Sequence, residues 1–182
     1  LTGGTWSTFD AGGWGGAATF TLAETSVTIV QNHGSSAAYQ VIDVTAGETY
    51  TFGGDALLNS AASGFWTELL LFDYTGQNLA GGEGLDGSGI DGNIQCKADD
   101  SHNKALLQAG EPFDTSTWGY WNNSSASLNI TAAGDKIVVA VKAGAYSGNN
   151  TSTFSDMTLT PEPASAVLLL CGLPLLLRRR RA

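Results

Sequence analysis

Ile137-Val138-Val139-Ala140-Val141 constrains this chain more than any other stretch, because such a run fits a strand and little else. Branching at Cβ stiffens the first side-chain torsion and favours an extended, packed backbone. Residues 136–143 are therefore the strongest strand in the sequence. Weaker signals of the same kind recur along the chain. Residues 17–22 alternate loosely around Phe20, and residues 26–30 carry Val27, Ile29 and Val30. Residues 38–45 follow a period of two that puts Tyr39, Val41 and Val44 on core positions. Residues 49–58 bring Tyr50, Phe52 and Leu57, and residues 65–74 are apolar enough to form a fully buried strand. Residues 153–160 close the series with Phe154, then Asp156 or Met157, then Leu159.

Turn chemistry separates these runs. The chain holds 24 Gly, with many Ser, Thr, Asn and Ala, which suits short strands and tight turns rather than helices. Residues 43–52 (Asp-Val-Thr-Ala-Gly-Glu-Thr-Tyr-Thr-Phe) are echoed by residues 129–139 (Asn-Ile-Thr-Ala-Ala-Gly-Asp-Lys-Ile-Val-Val). Each is a strand end, a Gly turn followed by an acid, and a new strand, as antiparallel strands exchanging between two sheets produce. The expected fold is all-β: an antiparallel β-sandwich, a jelly roll of about eight or nine strands, over residues 1–160. Residues 77–108 are irregular and Gly-rich, and are expected to form a long surface loop.

Charge narrows the partners. Of 17 acidic residues only Glu162 lies beyond residue 160, and of eight basic ones four Arg do, so the rest carries 16 acids against four Lys, a net charge of −12. No basic patch exists, so nucleic acid is excluded as a partner. The two cysteines, Cys96 and Cys171, build no disulfide framework.

No catalytic constellation emerges, and the chain is expected not to be an enzyme. His33 and His102 are the only histidines, and both lie in Gly-, Ser- or Asn-rich stretches. Gly-x-Ser-x-Gly, His-Glu-x-x-His and a P-loop are all missing. Residues 81–89 begin like a calcium-binding β-roll repeat, but Ser88 takes the place of a large apolar residue and there is one copy. A flexible loop is the better reading. Trp14, Tyr120 and Trp121, flanked by Gly or Asn, are the candidates for an exposed aromatic platform that stacks on sugar rings, whereas Trp66 and Trp118 are expected in the core.

The last 22 residues obey different rules. Pro161-Glu162-Pro163 precedes an apolar run, residues 164–177, and Arg178, Arg179, Arg180 and Arg181 follow before Ala182. As a helix the run would measure about 21 Å, against about 30 Å for a bilayer core. It has no amphipathic period, and Arg side chains can snorkel to lengthen it. The positive-inside rule then puts the Arg cluster in the cytoplasm and the preceding domain outside. The chain begins at Leu1 rather than Met, so an export leader is expected to have preceded it.

The triplet, apolar run and terminal Arg cluster together closely resemble the PEP-CTERM sorting signal, over residues 161–182. The resemblance implies export from a Gram-negative-type cell and transient residence in the inner membrane. It further implies recognition by exosortase, removal of the tail, and delivery to the cell surface or extracellular matrix. An uncleaved membrane anchor is the alternative. The rest of the chain resembles carbohydrate-binding-module jelly rolls with the galactose-binding-like fold. The stretch from Ala38 to Phe52, Asp114-Thr115-Ser116-Thr117-Trp118, and Phe154-Ser155-Asp156-Met157-Thr158-Leu159 carry that likeness. It implies binding to extracellular polysaccharide as an alternative to a structural or adhesive role. It also implies a structural calcium at Asp156, although Ser155 replaces the Asp usual beside it; otherwise no cofactor is expected.

Overall fold

Two strands far longer than the usual five or six residues organise the molecule. In the computed structural model, which describes residues 5–11, 17–61, 65–85, 94–99, 113–114 and 128–162, β3 (Ser26–Asp43) has 18 residues and β9 (Lys136–Pro161) has 26. They pair antiparallel from Ser26↔Ser155 to Asp43↔Lys136. The first half of β9 lies beside β5 (Phe65–Asp73), and its second half lies beside β4 (Thr49–Ala61). On the far side of β3, β1 (Ser7–Asp10) pairs with the second half and β2 (Thr19–Leu22) with the first. Beyond β5 lies β6 (Ile94–Asp99), while β7 (Phe113–Asp114) and β8 (Asn129–Thr131) pair with β4. The nine strands of the described residues form one antiparallel sheet, nearly barrel-shaped, in which β3 and β9 run through both halves.

Both long strands bend at the same level. On β3 the register shifts between Asn32 and Gly34, with His33 at φ 59 and Gly34 at φ 134. On β9 the residues between Ala145 and Asn149, ending in Gly148 at φ 72, have no register partner on β3. Extra residues on one strand of a pair increase its twist and turn the sheet. They also leave backbone groups off the ladder, and buried groups of that kind need partners. Asn150 packs polar contacts beside the bend: its Nδ2 donates to Trp66 O (2.8 Å) and Gly144 O (3.0 Å), and its Oδ1 accepts from Ser152 Oγ (2.9 Å). Ser152 Oγ lies 2.8 Å from Thr67 Oγ1, and all three residues are buried. On β3, Gln31 donates to His33 O (3.1 Å), and its Oε1 lies 2.5 Å from Ser36 Oγ.

The curled sheet encloses the main core. Val27, Ile29, Phe52, Phe65, Leu69, Leu71, Ile137, Val139, Val141, Phe154 and Met157 meet there, with Trp6. A second cluster covers the opposite face of the β1–β3–β9–β5 half. Phe9, Tyr39, Leu70, Phe72, Val138 and Ala140 are capped there by Leu79 and Leu85. These two Leu come from a 3-10 turn, Leu79–Gly81, and the tight bend after it, where Gly82 at φ 89 lies against the ring of Phe9. A Cβ on Gly82 would sit 2.4 Å from that ring. Val138 and Val139 thus face opposite sides and are both buried, so the run Ile137–Val141 shows no polar alternation.

The all-β, antiparallel expectation agrees with this structure, and four local expectations are corrected. Residues 26–30 and 38–45 are parts of one strand, as are 136–143 and 153–160, because β3 and β9 bend rather than stop. Val41 is 41% exposed and not core, since the cap over Tyr39 does not reach one rung further. Residues 77–108 are no plain surface loop: Leu79 and Leu85 are buried and β6 adds a strand. The start of the Gly-rich segment, through Leu85, is this cap and not a flexible loop. The predicted apolar helix 164–177 lies outside the described residues, and among the described residues no helix is long and apolar enough to cross a membrane.

Asn150→Ala is expected to destabilise the fold by about 2–3 kcal/mol, because two carbonyls beside the buried bend lose its donated hydrogen bonds. Urea unfolding measures this, and a loss below about 0.5 kcal/mol, the scale of an ordinary surface substitution, would show that the bend does not depend on Asn150.

Candidate functional site

The outer face of β5 and β9 next to the bend holds the least ordinary side chains in the described residues. Alternation puts Trp66, Glu68, Leu70 and Phe72 of β5 on this face, opposite the main core. Gly144 stands opposite Trp66 and Lys142 opposite Glu68. Ser35 of β3 flanks Gly144 on the other side. One row is therefore Ser35, Gly144 and Trp66, and the next is Ala37, Lys142 and Glu68.

Gly144 makes room for the indole. A Cβ there would lie 2.1 Å from Trp66 Cε2, so the ring covers the backbone of β9. Tyr146, in the bulge of β9, meets Trp66 with ring centroids 5.0 Å apart at 58°. Tilted aromatic pairs of this kind are favourable. Trp66 is half-buried while Tyr146 is 76% exposed, the most open of the large apolar side chains described. Ser35 Oγ is buried and has no hydrogen-bond partner among the described residues.

The next row carries a buried ion pair. Lys142 Nζ lies 3.2 Å from Glu68 Oε2, with side chains only 4% and 3% exposed. Desolvating both charges offsets most of their attraction, so the pair adds little net stability, but losing either partner strands a buried charge. A second ion pair, between Lys136 and Asp43, is different in kind. Lys136 pairs with Asp43 at the exposed ends of β9 and β3, and this hydrogen bond, followed by Asp43's charge, raises the Lys136 pKa above its ordinary value.

A separate cleft of about 230 Å³ lies between the β2–β3 turn and the end of β9. Glu24, Thr25, Ser26, Asp156 and Thr158 line it, together with Trp6. Asp156 sits at φ 52 where the β4–β9 register shifts opposite Gly54, so Phe154 and Met157 both face the core and Asp156 faces out. Two carboxylates and three hydroxyls are oxygen donors of the type calcium takes. Among the described residues no group of three or more His, Cys, Asp and Glu clusters in a metal-holding arrangement.

The predicted site residues fall unevenly on this map. Trp14, Tyr120, Trp121, Pro163 and Arg178 to Arg181 lie outside the described residues. Asp156 lines the cleft, and Pro161 and Glu162 lie at the end of β9 against β4. Trp66, expected in the core, instead forms half of an aromatic pair on the outer face. Tyr146 was not singled out by its sequence, although its setting, Gly144-Ala145-Tyr146-Ser147-Gly148, has the same Gly-flanked character as the other aromatic candidates.

No protein-family model matches the sequence, and no curated protein matches it. Among solved structures the chain is similar to TmCBM61, determined in complex with beta-1,4-galactotriose, at 12% identity and a TM-score of 0.46, covering 86% of this chain and 88% of that one. It is similar to a CBM4 structure at 15% identity and a TM-score of 0.40, covering 86% of each chain. The enzymatically active domain of tailspike protein 4 from bacteriophage CBA120 is similar at 10% identity and a TM-score of 0.49, over 86% of this chain but 19% of that one. Two of these three neighbours are carbohydrate-binding modules.

Removing one charge of the buried pair, as in Glu68→Gln, is expected to destabilise the fold by about 3–5 kcal/mol, and Glu68→Leu combined with Lys142→Met to recover most of that loss. Thermal or urea unfolding of the single and double variants measures the coupling. Additive losses would show that the two groups do not depend on each other.

Proposed function

We propose that this chain is a non-catalytic, glycan-binding jelly roll, exported and delivered to the cell surface or extracellular matrix. The observation that carries the glycan reading is the exposed ring of Tyr146 held against Trp66. A flat aromatic face meets the C–H face of a pyranose, and the ring loses little conformational freedom on binding because Trp66 already supports it. The buried hydroxyl of Ser35 and the Lys142–Glu68 pair supply polar groups in the same and the adjoining row. A net charge of −12 outside the tail repels polyanions, so the ligand is a neutral polysaccharide.

Delivery rests on residues 161–182. The Pro-Glu-Pro triplet, apolar run and Arg cluster support recognition by exosortase in the inner membrane, followed by removal of the tail.

Binding to neutral polysaccharides by calorimetry or affinity electrophoresis tests the first part. Tyr146→Ala is expected to weaken binding about 10-fold or more, as loss of a central aromatic contact does, while leaving stability almost unchanged because the side chain is exposed. No binding across a broad panel of neutral glycans would leave a purely structural or adhesive role. For the second part, C-terminal peptide mapping of protein recovered from its native host is expected to show residues 175–182 gone. Their presence in the mature protein would mean a permanent anchor and no exosortase step.

A further inference from the structure

The start of the proposed sorting triplet is part of the folded sheet. β9 continues through Pro161, which stands opposite Tyr50 of β4. Pro161 has no N–H to donate, so the end of the strand is held by its neighbour. Glu162 N donates to Thr49 O (2.7 Å), and Thr51 Oγ1 donates to Glu162 Oε1 (2.9 Å). The strand they grip is itself fixed. β8 pairs with Thr49, Tyr50 and Thr51 on the other edge. Tyr50 is buried, and its hydroxyl donates to Glu48 (3.0 Å) and accepts from Thr45 N (2.9 Å).

An enzyme that reads an extended peptide does so largely through the peptide's main-chain groups and alternate side chains. Here β4 already occupies the Glu162 amide, and Thr51 occupies the Glu162 carboxylate. We infer that β4 shelters Pro161 and Glu162, so that the processing enzyme reads them only when the last rung of β9 opens, and that the rung's opening sets the processing rate. This rests on the sorting reading of the tail. The Thr51–Glu162 contact is exposed, and nothing described pairs with the other edge of β9 beyond Ser155. The rung is thus at the low-stability end of the fold and opens without unfolding the domain. The gate is soft: once the domain has folded it slows processing until the rung frays, and it does not block it.

The test follows conversion of precursor to mature protein by pulse–chase in the native host. Two variants keep the triplet intact. A short Gly-Ser linker between Thr160 and Pro161 moves it off β4, and Thr51→Val removes the side-chain bond alone. The linker is expected to speed conversion about 5-fold, the population change that one or two modest hydrogen bonds produce, and Thr51→Val to speed it by less. Hydrogen exchange of the purified protein is expected to show the Glu162 amide protected in wild type and unprotected in the linker variant. Unchanged or slower conversion of the linker variant, with wild type processed normally, would overturn the inference and leave the sorting reading standing. Wild-type protein recovered with its tail intact would overturn the sorting reading, and the gate with it.

Discussion

The corner of β9 is the constraint on which the rest of the structure depends, and Asn150 is what holds it. A strand of 26 residues that stayed flat would enclose nothing. Bent between Ala145 and Asn149, it serves two half-sheets and lets them face each other across one core. At the bend one buried amide holds two carbonyls, Gly144 O on its own strand and Trp66 O on the next. The buried polar layer Thr67–Ser152–Asn150, with the buried Gln31–Ser36 pair on β3, is therefore a hinge pin inside the interior.

Much of the chain's pattern follows from that corner. Because β9 is shared, its first half sits between β3 and β5 and is buried on both faces, which is why Ile137 to Val141 carries no polar residue. The outer face still needs a lid, and Leu79 and Leu85 supply one with few residues. The lid stops short of Val41, and the row at Glu68 and Lys142 is apolar no longer. Past that row come Trp66 and Tyr146, at the level of the bend itself.

The sequence showed strands wherever the period of two ran unbroken. Val27, Ile29, Phe52 and Leu71 are buried as that period requires. It failed at bulges, because one extra residue flips the parity of everything after it. Phe154 and Met157 both face the core although three residues apart, and only the register slip at Asp156 explains that. Whether a break such as Asn32-His33-Gly34 ends a strand or bends it depends on a partner more than 100 positions away, so local reading took it as an end. Trp66 was misplaced for a related reason. Its neighbours Phe65 and Leu69 suggest a core strand, and they do face the core. Trp66 points the other way, over a glycine that only the pairing with β9 brings beneath it.

An exposed tyrosine alone is ordinary on a protein surface. What sets Tyr146 apart is that each of its supports is dictated by the fold rather than by the ring. The bulge that lifts Tyr146 out of the ladder is the one that bends β9. The glycine that admits Trp66 beside it is the residue whose carbonyl Asn150 holds. The backbone of Trp66 is tied to Asn150 as well, through its own carbonyl. A side chain in a corner this constrained has little freedom left to lose, which is the condition under which a weak stacking contact becomes useful binding. The device that closes the core therefore also fixes the aromatic pair on the surface, and a change at the corner would be felt in both.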